Sequence, residues 1–373
     1  MIYCFYTKKK GESGMYGLKN ALTAKNMMAG WLYFYIHFAT EVTCFFFLSR
    51  QYGDSVMLWL FPFVYDALAF VPQSPIGYLC DKFKKINGGI VGIVLMAFAG
   101  LMFEYLPVSP YIPLVILCIG NAFTHVGGAE TTLRVSDGRL AHSAVFVSGG
   151  SFGVVTGRLL SSSDVSGLII VLFILTAIPF ALLADTYLRD TEKQNINPCE
   201  KFNYANPKLS AAAVIILATL VVAVRGYMGY GIPTAWKKTL LQTVCLYVTM
   251  GIGKAAGGIF ADAFGVRKTA VFSVSAALPF LLAGNNHMGI SLVGVMIFSM
   301  TMSITLALLV SVLKKTPGFA FGFTTLGLFL GTAPIFFFRF TSVRANCIVI
   351  SALSVLCLAA LMIIGRKDEK INE

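Results

Sequence analysis

In the run "LYFYIHFATEVTCFFFLS", residues 32–49, two ionisable side chains stand among aromatic and aliphatic residues: His37 and, four residues on, Glu41. No Lys or Arg lies within seven residues of Glu41 on either side. On a helix Tyr33, His37 and Glu41 share one face, because they recur every four residues. A carboxylate that met hydrocarbon unpaired would be costly, so it must face a partner or an aqueous cavity. A carboxylate in that setting can load a proton on one side and release it on the other, with His37 one turn away as relay.

Further along, more polar residues interrupt apolar stretches. Asp66 has Tyr65 beside it and Gln73 two turns on. Asn121 and His125 lie one turn apart, followed by Glu130 and Arg134, which are spaced to pair with each other. Arg158, Arg225 and Lys254 are the cations of the later stretches. Three kinds of chemistry fit these types. Glu41, and secondarily Asp66, suit proton carriage, while Arg225 suits an anionic group. His37, Glu41, Asp66 and His125 together offer a ligand set for a divalent metal. Tyr33, Tyr35, Tyr227 and Tyr230 offer ring faces and hydroxyls.

The elements that must position these residues are legible in the hydropathy. The chain has 373 residues, 57% hydrophobic and 12% charged, with mean hydropathy +0.77. A soluble fold of this size would need a far more charged surface. Twelve apolar stretches approach the roughly 20 residues that cross a bilayer: 28–48, 55–77, 88–106, 111–131, 141–161, 167–186, 209–229, 240–260, 269–284, 288–313, 319–338 and 345–365. The expected fold class is therefore an all-α polytopic membrane protein. Residues 1–27 form an N-terminal segment in which Met15, Leu18 and Leu22 share one helical face, 28–186 a first set of six spans, 187–208 a polar linker, 209–365 a second set of six, and 366–373 a tail.

The net charge of +12 reads as a topology signal rather than a nucleic-acid surface. With the N-terminus inside, one set of loops and termini carries 21 Lys and Arg, the opposite set only five. By the positive-inside rule both termini are cytoplasmic, and the basic loops face anionic lipid headgroups. Eight cysteines are scattered without a C-x-x-C pair or Cys/His cluster, which fits small packing residues. No cofactor motif is present: no H-E-x-x-H, Walker loop or G-x-S-x-G.

A repeat divides the chain. "GYLCDKFKK" (Gly77–Lys85) follows the second span and "GIFADAFGVRK" (Gly258–Lys268) the eighth, with Asp81 and Asp262 181 residues apart. In these two loops the sequence resembles the major facilitator superfamily, whose pattern is G-x-L-a-D-r-x-G-r-k. The first copy matches at Gly77, Leu79, Asp81, Lys82 and Lys85, with Lys84 in place of the second glycine. The second matches at Gly258, Ala261, Asp262, Gly265, Arg267 and Lys268. The resemblance implies two pseudo-symmetric six-helix bundles around a central cavity, with alternating access by rocking. It implies that Glu41, His125 and Arg225 face substrate, and that Asp81 gates the cytoplasmic side with Arg134 as partner. Glu130, Lys254 and Asp262 belong near the same gates. The fifth span, "SGGSFGVVTG", offers Gly149, Gly150, Gly153 and Gly157 for close helix packing.

The function expected is that of a secondary active transporter, not an enzyme. It moves a small organic anion or zwitterion across the plasma (inner) membrane, with protons as coupling ion and the chain as a monomer. A divalent-metal or drug exporter on the same fold, and a non-transporting sensor or enzyme, are the competing readings.

Overall fold

The computed structural model describes residues 27–52, 60–194, 199–338 and 342–366. The expected interfacial helix at Met15–Leu22 and the tail beyond Arg366 lie outside these residues. Among the described residues the only strand-like feature is an isolated bridge between Ala205 and Gly365. The rest is helix and connecting turn.

Twelve spans follow in order: Met27–Tyr52; Leu60–Phe70 with Gln73–Lys82; Gly88–Tyr105; Tyr111–Val135; Ala141–Ser161; Gly167–Leu175 with Ile178–Gln194; Ala211–Gly231; Leu240–Phe264; Val266–Ser275 with Ala277–Ala283; Met288–Ser299 with Thr301–Val312; Pro317–Phe337; and Val343–Ile364. Among the described residues, eleven are long and apolar enough to cross a membrane. The second is split at Val71–Pro72, where proline has no N–H to give the helix and constrains the residue before it. The sixth breaks at Thr176–Ala177, just before Pro179. Polar residues mark several starts: Asn87, Ser166, Ser210 and Ser342 each accept a backbone N–H of the first turn, and Thr239 with Gln242 forms a capping box.

Large apolar side chains point outward along the spans, among them Ile169, Leu172, Ile216, Ile348 and Val355. Of the polar residues that interrupted the sequence, His37, Glu41, Gln73, Asn121, His125, Glu130 and Arg134 are buried, whereas Arg158 is exposed. Inside each half the packing repeats: the first span lies on the fifth as the seventh lies on the eleventh, and the third on the fourth as the ninth on the tenth. The halves meet along two seams, the second span against the eleventh and the fifth against the eighth.

The first and fifth spans are held together by the glycines expected there. Gly149, Gly153 and Gly157 face the carbonyls of Phe34, Phe38 and Val42 in turn. Both series advance by four residues, so each glycine admits the next turn of the first span. The linker differs from its expected outline. The sixth-span helix continues to Gln194, past the boundary placed at 186, and Glu192 pairs with Lys84 at 3.2 Å. Residues 199–206 then lie against the protein. Cys199 and Phe202 are fully buried. Tyr204 donates its hydroxyl to the Gly138 carbonyl of the first half and its N–H to Ser311 Oγ of the second.

Candidate functional site

Glu41 lies where the first and fourth spans cross. Its Oε1 is 3.3 Å from His125 Nε2 and 3.8 Å from His37 Nε2, and it accepts a hydrogen bond from Asn121 Nδ2 at 3.1 Å. All four residues are buried. Local sequence explains the convergence. His37 sits one turn below Glu41 on the first span, Asn121 and His125 one turn apart on the fourth. Gly150 and Gly153 of the fifth span leave room: a Cβ on Gly150 would strike the His37 ring, and one on Gly153 would meet Glu41 Cβ at 2.7 Å.

Each ring of the pair has its second nitrogen committed. His37 Nδ1 is 3.0 Å from the Phe146 carbonyl and His125 Nδ1 is 2.9 Å from the Asn121 carbonyl. A carbonyl only accepts, so each Nδ1 carries the proton and a neutral ring turns its Nε2 lone pair to Glu41. The rings stand edge to face, centroids 4.4 Å apart. Asn121 Nδ2 also reaches the Tyr65 hydroxyl at 3.2 Å and Cys44 Sγ at 3.4 Å. His125 is stacked near Phe321 of the eleventh span, so the knot abuts the second half.

The other candidates are placed as follows. Tyr33 shares the face of His37 but packs edge-on to Phe146, with its hydroxyl 3.5 Å from Thr131, away from Glu41. Asp66 is half-buried and lies near Thr332 across the seam to the eleventh span. Arg225 turns two guanidinium nitrogens into the interior without a hydrogen-bond partner. Lys254, expected beside the second loop, lies within electrostatic range of both Glu41 and Arg225. Arg158 lies over the rings of Phe45 and Tyr247, at 5.0 and 5.6 Å, and so joins the first, fifth and eighth spans.

The two loop motifs share one face of the molecule, the motif face, and each reaches into the opposite half. Asp81 accepts the backbone N–H of Gly318 at 3.1 Å and of Phe319 at 2.8 Å, at the start of the eleventh span. Asp262 accepts those of Leu140 at 2.8 Å and Ala141 at 2.9 Å, at the start of the fifth. Both carboxylates thus sit at helix N-termini, where orphan N–H groups and the helix dipole favour an anion. Arg134 lies 3.2 Å from Asp81 and 3.0 Å from Glu130. Gly77 packs on the Gly318 carbonyl and Gly258 on Ala144 and Leu140. Lys85 is exposed, and Arg267 is half-buried with one guanidinium nitrogen lacking a partner. The helix starts that receive the two aspartates carry no sequence signature, since any non-proline backbone offers the same N–H.

Among solved structures the chain is similar to the fucose:proton symporter FucP of E. coli, at 14% identity over 90% of this chain and 96% of that one, with a TM-score of 0.57. It is also similar to a structure described as a major facilitator superfamily transporter, FucP, in the outward conformation. There the identity is 11%, the coverage 92% and 99%, and the TM-score 0.58. No protein-family profile matches the chain, and no curated protein matches it. The architecture is the major facilitator fold, two six-helix bundles related by pseudo-symmetry.

Proposed function

We propose that this chain, built on the major facilitator fold, is a secondary transporter that moves a small organic anion or zwitterion and couples its movement to protons at Glu41. The observation that carries the reading is the convergence of Glu41 Oε1 with the Nε2 atoms of His125 and His37 at 3.3 and 3.8 Å. Three acceptor atoms turned towards one another repel unless a cation lies between them, and a proton is the smallest. With the proton present the knot ties the first span to the fourth. Without it, Glu41 faces two lone pairs and is better served by water or a substrate cation. Proton occupancy therefore biases the geometry of the first bundle, which is what coupling requires.

Arg225 and Lys254 support the substrate class. Both come from the second half, they lie within electrostatic range of each other, and the Arg225 guanidinium has interior nitrogens without partners. An anionic group between the halves would satisfy them. The charge distribution supports a cytoplasmic motif face, and the membrane proposed is the plasma (inner) membrane. Asp81 and Asp262 hold that face shut, and opening it requires both carboxylates to leave the helix starts of the other bundle. The neighbours' fucose is neutral, so the anion class rests on Arg225 and Lys254 alone.

The test is uptake by the purified full-length protein in liposomes, screened over labelled organic anions, zwitterions and neutral sugars, with and without a pH gradient. Wild-type protein should accumulate one anion or zwitterion only with the gradient. Glu41→Gln should lose accumulation yet still exchange substrate. Normal accumulation by Glu41→Gln would remove the coupling role, and transport of a neutral sugar alone would remove the substrate class.

A further inference from the structure

We infer that His37, Glu41 and His125 also form a binding site for one divalent transition metal of the zinc class. The inference rests on reading the same cluster as the coupling site, with the metal taking the place of the proton. Among the described residues this is a buried trio of metal-ligating side chains, each offering one ligand atom, all within 4.8 Å of one another. Tetrahedral zinc, with nitrogen and oxygen ligands at about 2.0–2.2 Å, holds neighbouring ligand atoms about 3.3–3.5 Å apart. Glu41 Oε1 stands 3.3 Å from His125 Nε2 and 3.8 Å from His37 Nε2, close to that spacing, and the two Nε2 atoms, within 4.8 Å of each other, draw together by about an ångström to complete it.

The surrounding hydrogen bonds match those of a metal site. Metal-bound histidines commonly donate the other ring N–H to a backbone carbonyl, which fixes the tautomer and aims the free nitrogen. Both rings do so here, His37 to Phe146 and His125 to Asn121. The carboxylate is oriented in turn by Asn121 Nδ2. Two imidazoles and one carboxylate favour zinc, iron or manganese over calcium or magnesium, which take mainly oxygen.

Charge decides how tightly the ion is held. Asp66 is the further acid in electrostatic range of Glu41, and Lys254 of the eighth span is a cation in electrostatic range of all three ligands. Lys254 therefore opposes a divalent ion, and removing its charge should strengthen binding. A role for Lys254 in packing alone would not produce that sign.

Cobalt(II) serves as the probe, since its visible absorption reports tetrahedral coordination, and the protein carries no polyhistidine tag. Wild-type full-length chain in detergent should bind one Co²⁺, displaceable by Zn²⁺. His125→Gln should weaken affinity by about tenfold or more, Lys254→Gln should tighten it, and His287→Gln, at an exposed site, should leave it unchanged. Zinc-edge X-ray absorption on the wild-type protein should count two imidazole ligands, which keeps the test independent of whether any variant folds. Absence of metal binding by the wild-type chain, binding that survives His125→Gln intact, or a zinc shell without imidazole would each overturn the inference. Gradient-driven uptake without Co²⁺ binding sinks the metal site alone. Co²⁺ binding without gradient-driven uptake sinks the proton reading alone.

Discussion

Asp81 receives three hydrogen bonds, two from the backbone at the start of the eleventh span and one from Arg134 of its own half. Substitution to Asn keeps the size but removes the charge that strengthens all three and matches the helix dipole. Hydrogen bonds to charged groups contribute about 1.5–3 kcal/mol each, so even partial loss changes the balance between open and closed motif faces by an order of magnitude or more. On the transport function proposed above, Asp81→Asn should therefore lower turnover while leaving the amount of folded protein nearly intact, with labelling of introduced cysteines at the motif face rising. Wild-type turnover with unchanged labelling would reduce Asp81 to a solvated turn residue. Arg134 is bound to Glu130 as well as to Asp81, so it keeps one partner in that variant.

At the scale of elements, the seam between first and fifth spans depends on absent side chains. Gly153 faces the Phe38 carbonyl and Glu41 Cβ, so Gly153→Ala must push the first span outward and disturb the site it carries. Overpacking of this kind costs about 1–3 kcal/mol. Thermal unfolding of the purified protein should show a clear loss for Gly153→Ala. Gly229, in the last turns of the seventh span, has open space where a Cβ would go, so Gly229→Ala should be neutral or stabilising by a few tenths of a kcal/mol. Equal losses at the two sites would mean that helix approach at Gly153 is not tight. The small-residue spacing was readable from the chain. Which carbonyls it would meet was not, because partner choice among twelve similar apolar helices depends on packing.

For the molecule as a whole, the described residues 199–206 between the halves form a fitted strap rather than a tether. Phe202 is fully buried among the core residues, so Phe202→Ala should destabilise by about 3–5 kcal/mol, far more than a change in a free linker. Cys199 gives a second reading of the same docking. Burial pushes its thiol up to about 12, so at neutral pH it stays protonated and unreactive. The thiolate fraction rises tenfold per pH unit until the pKa is reached. In a background with the other cysteines replaced, maleimide labelling of Cys199 should be slow and still climb past pH about 9, where an ordinary thiol has levelled off. A plateau near the ordinary value would show that the strap leaves the surface.

The sequence by itself determined the solvent, the span count and the pairing of two loop motifs. Those follow from local quantities: runs of apolar residues matched to bilayer thickness, loop charges, and a repeated turn. It also marked Glu41, His37, Asn121 and His125, since polar residues in such runs must find partners. The tertiary structure decided which partners. It turned both imidazole Nε2 atoms onto one carboxylate oxygen, sent Asp81 and Asp262 to backbone N–H groups of the opposite bundle, and brought Lys254 within electrostatic range of Glu41. It extended the sixth span past its expected end and laid residues 199–206 across both halves. Each of these depends on contacts between residues far apart in the chain, on backbone groups that every residue type shares, and on helix rotations that a strongly apolar sequence leaves almost unconstrained.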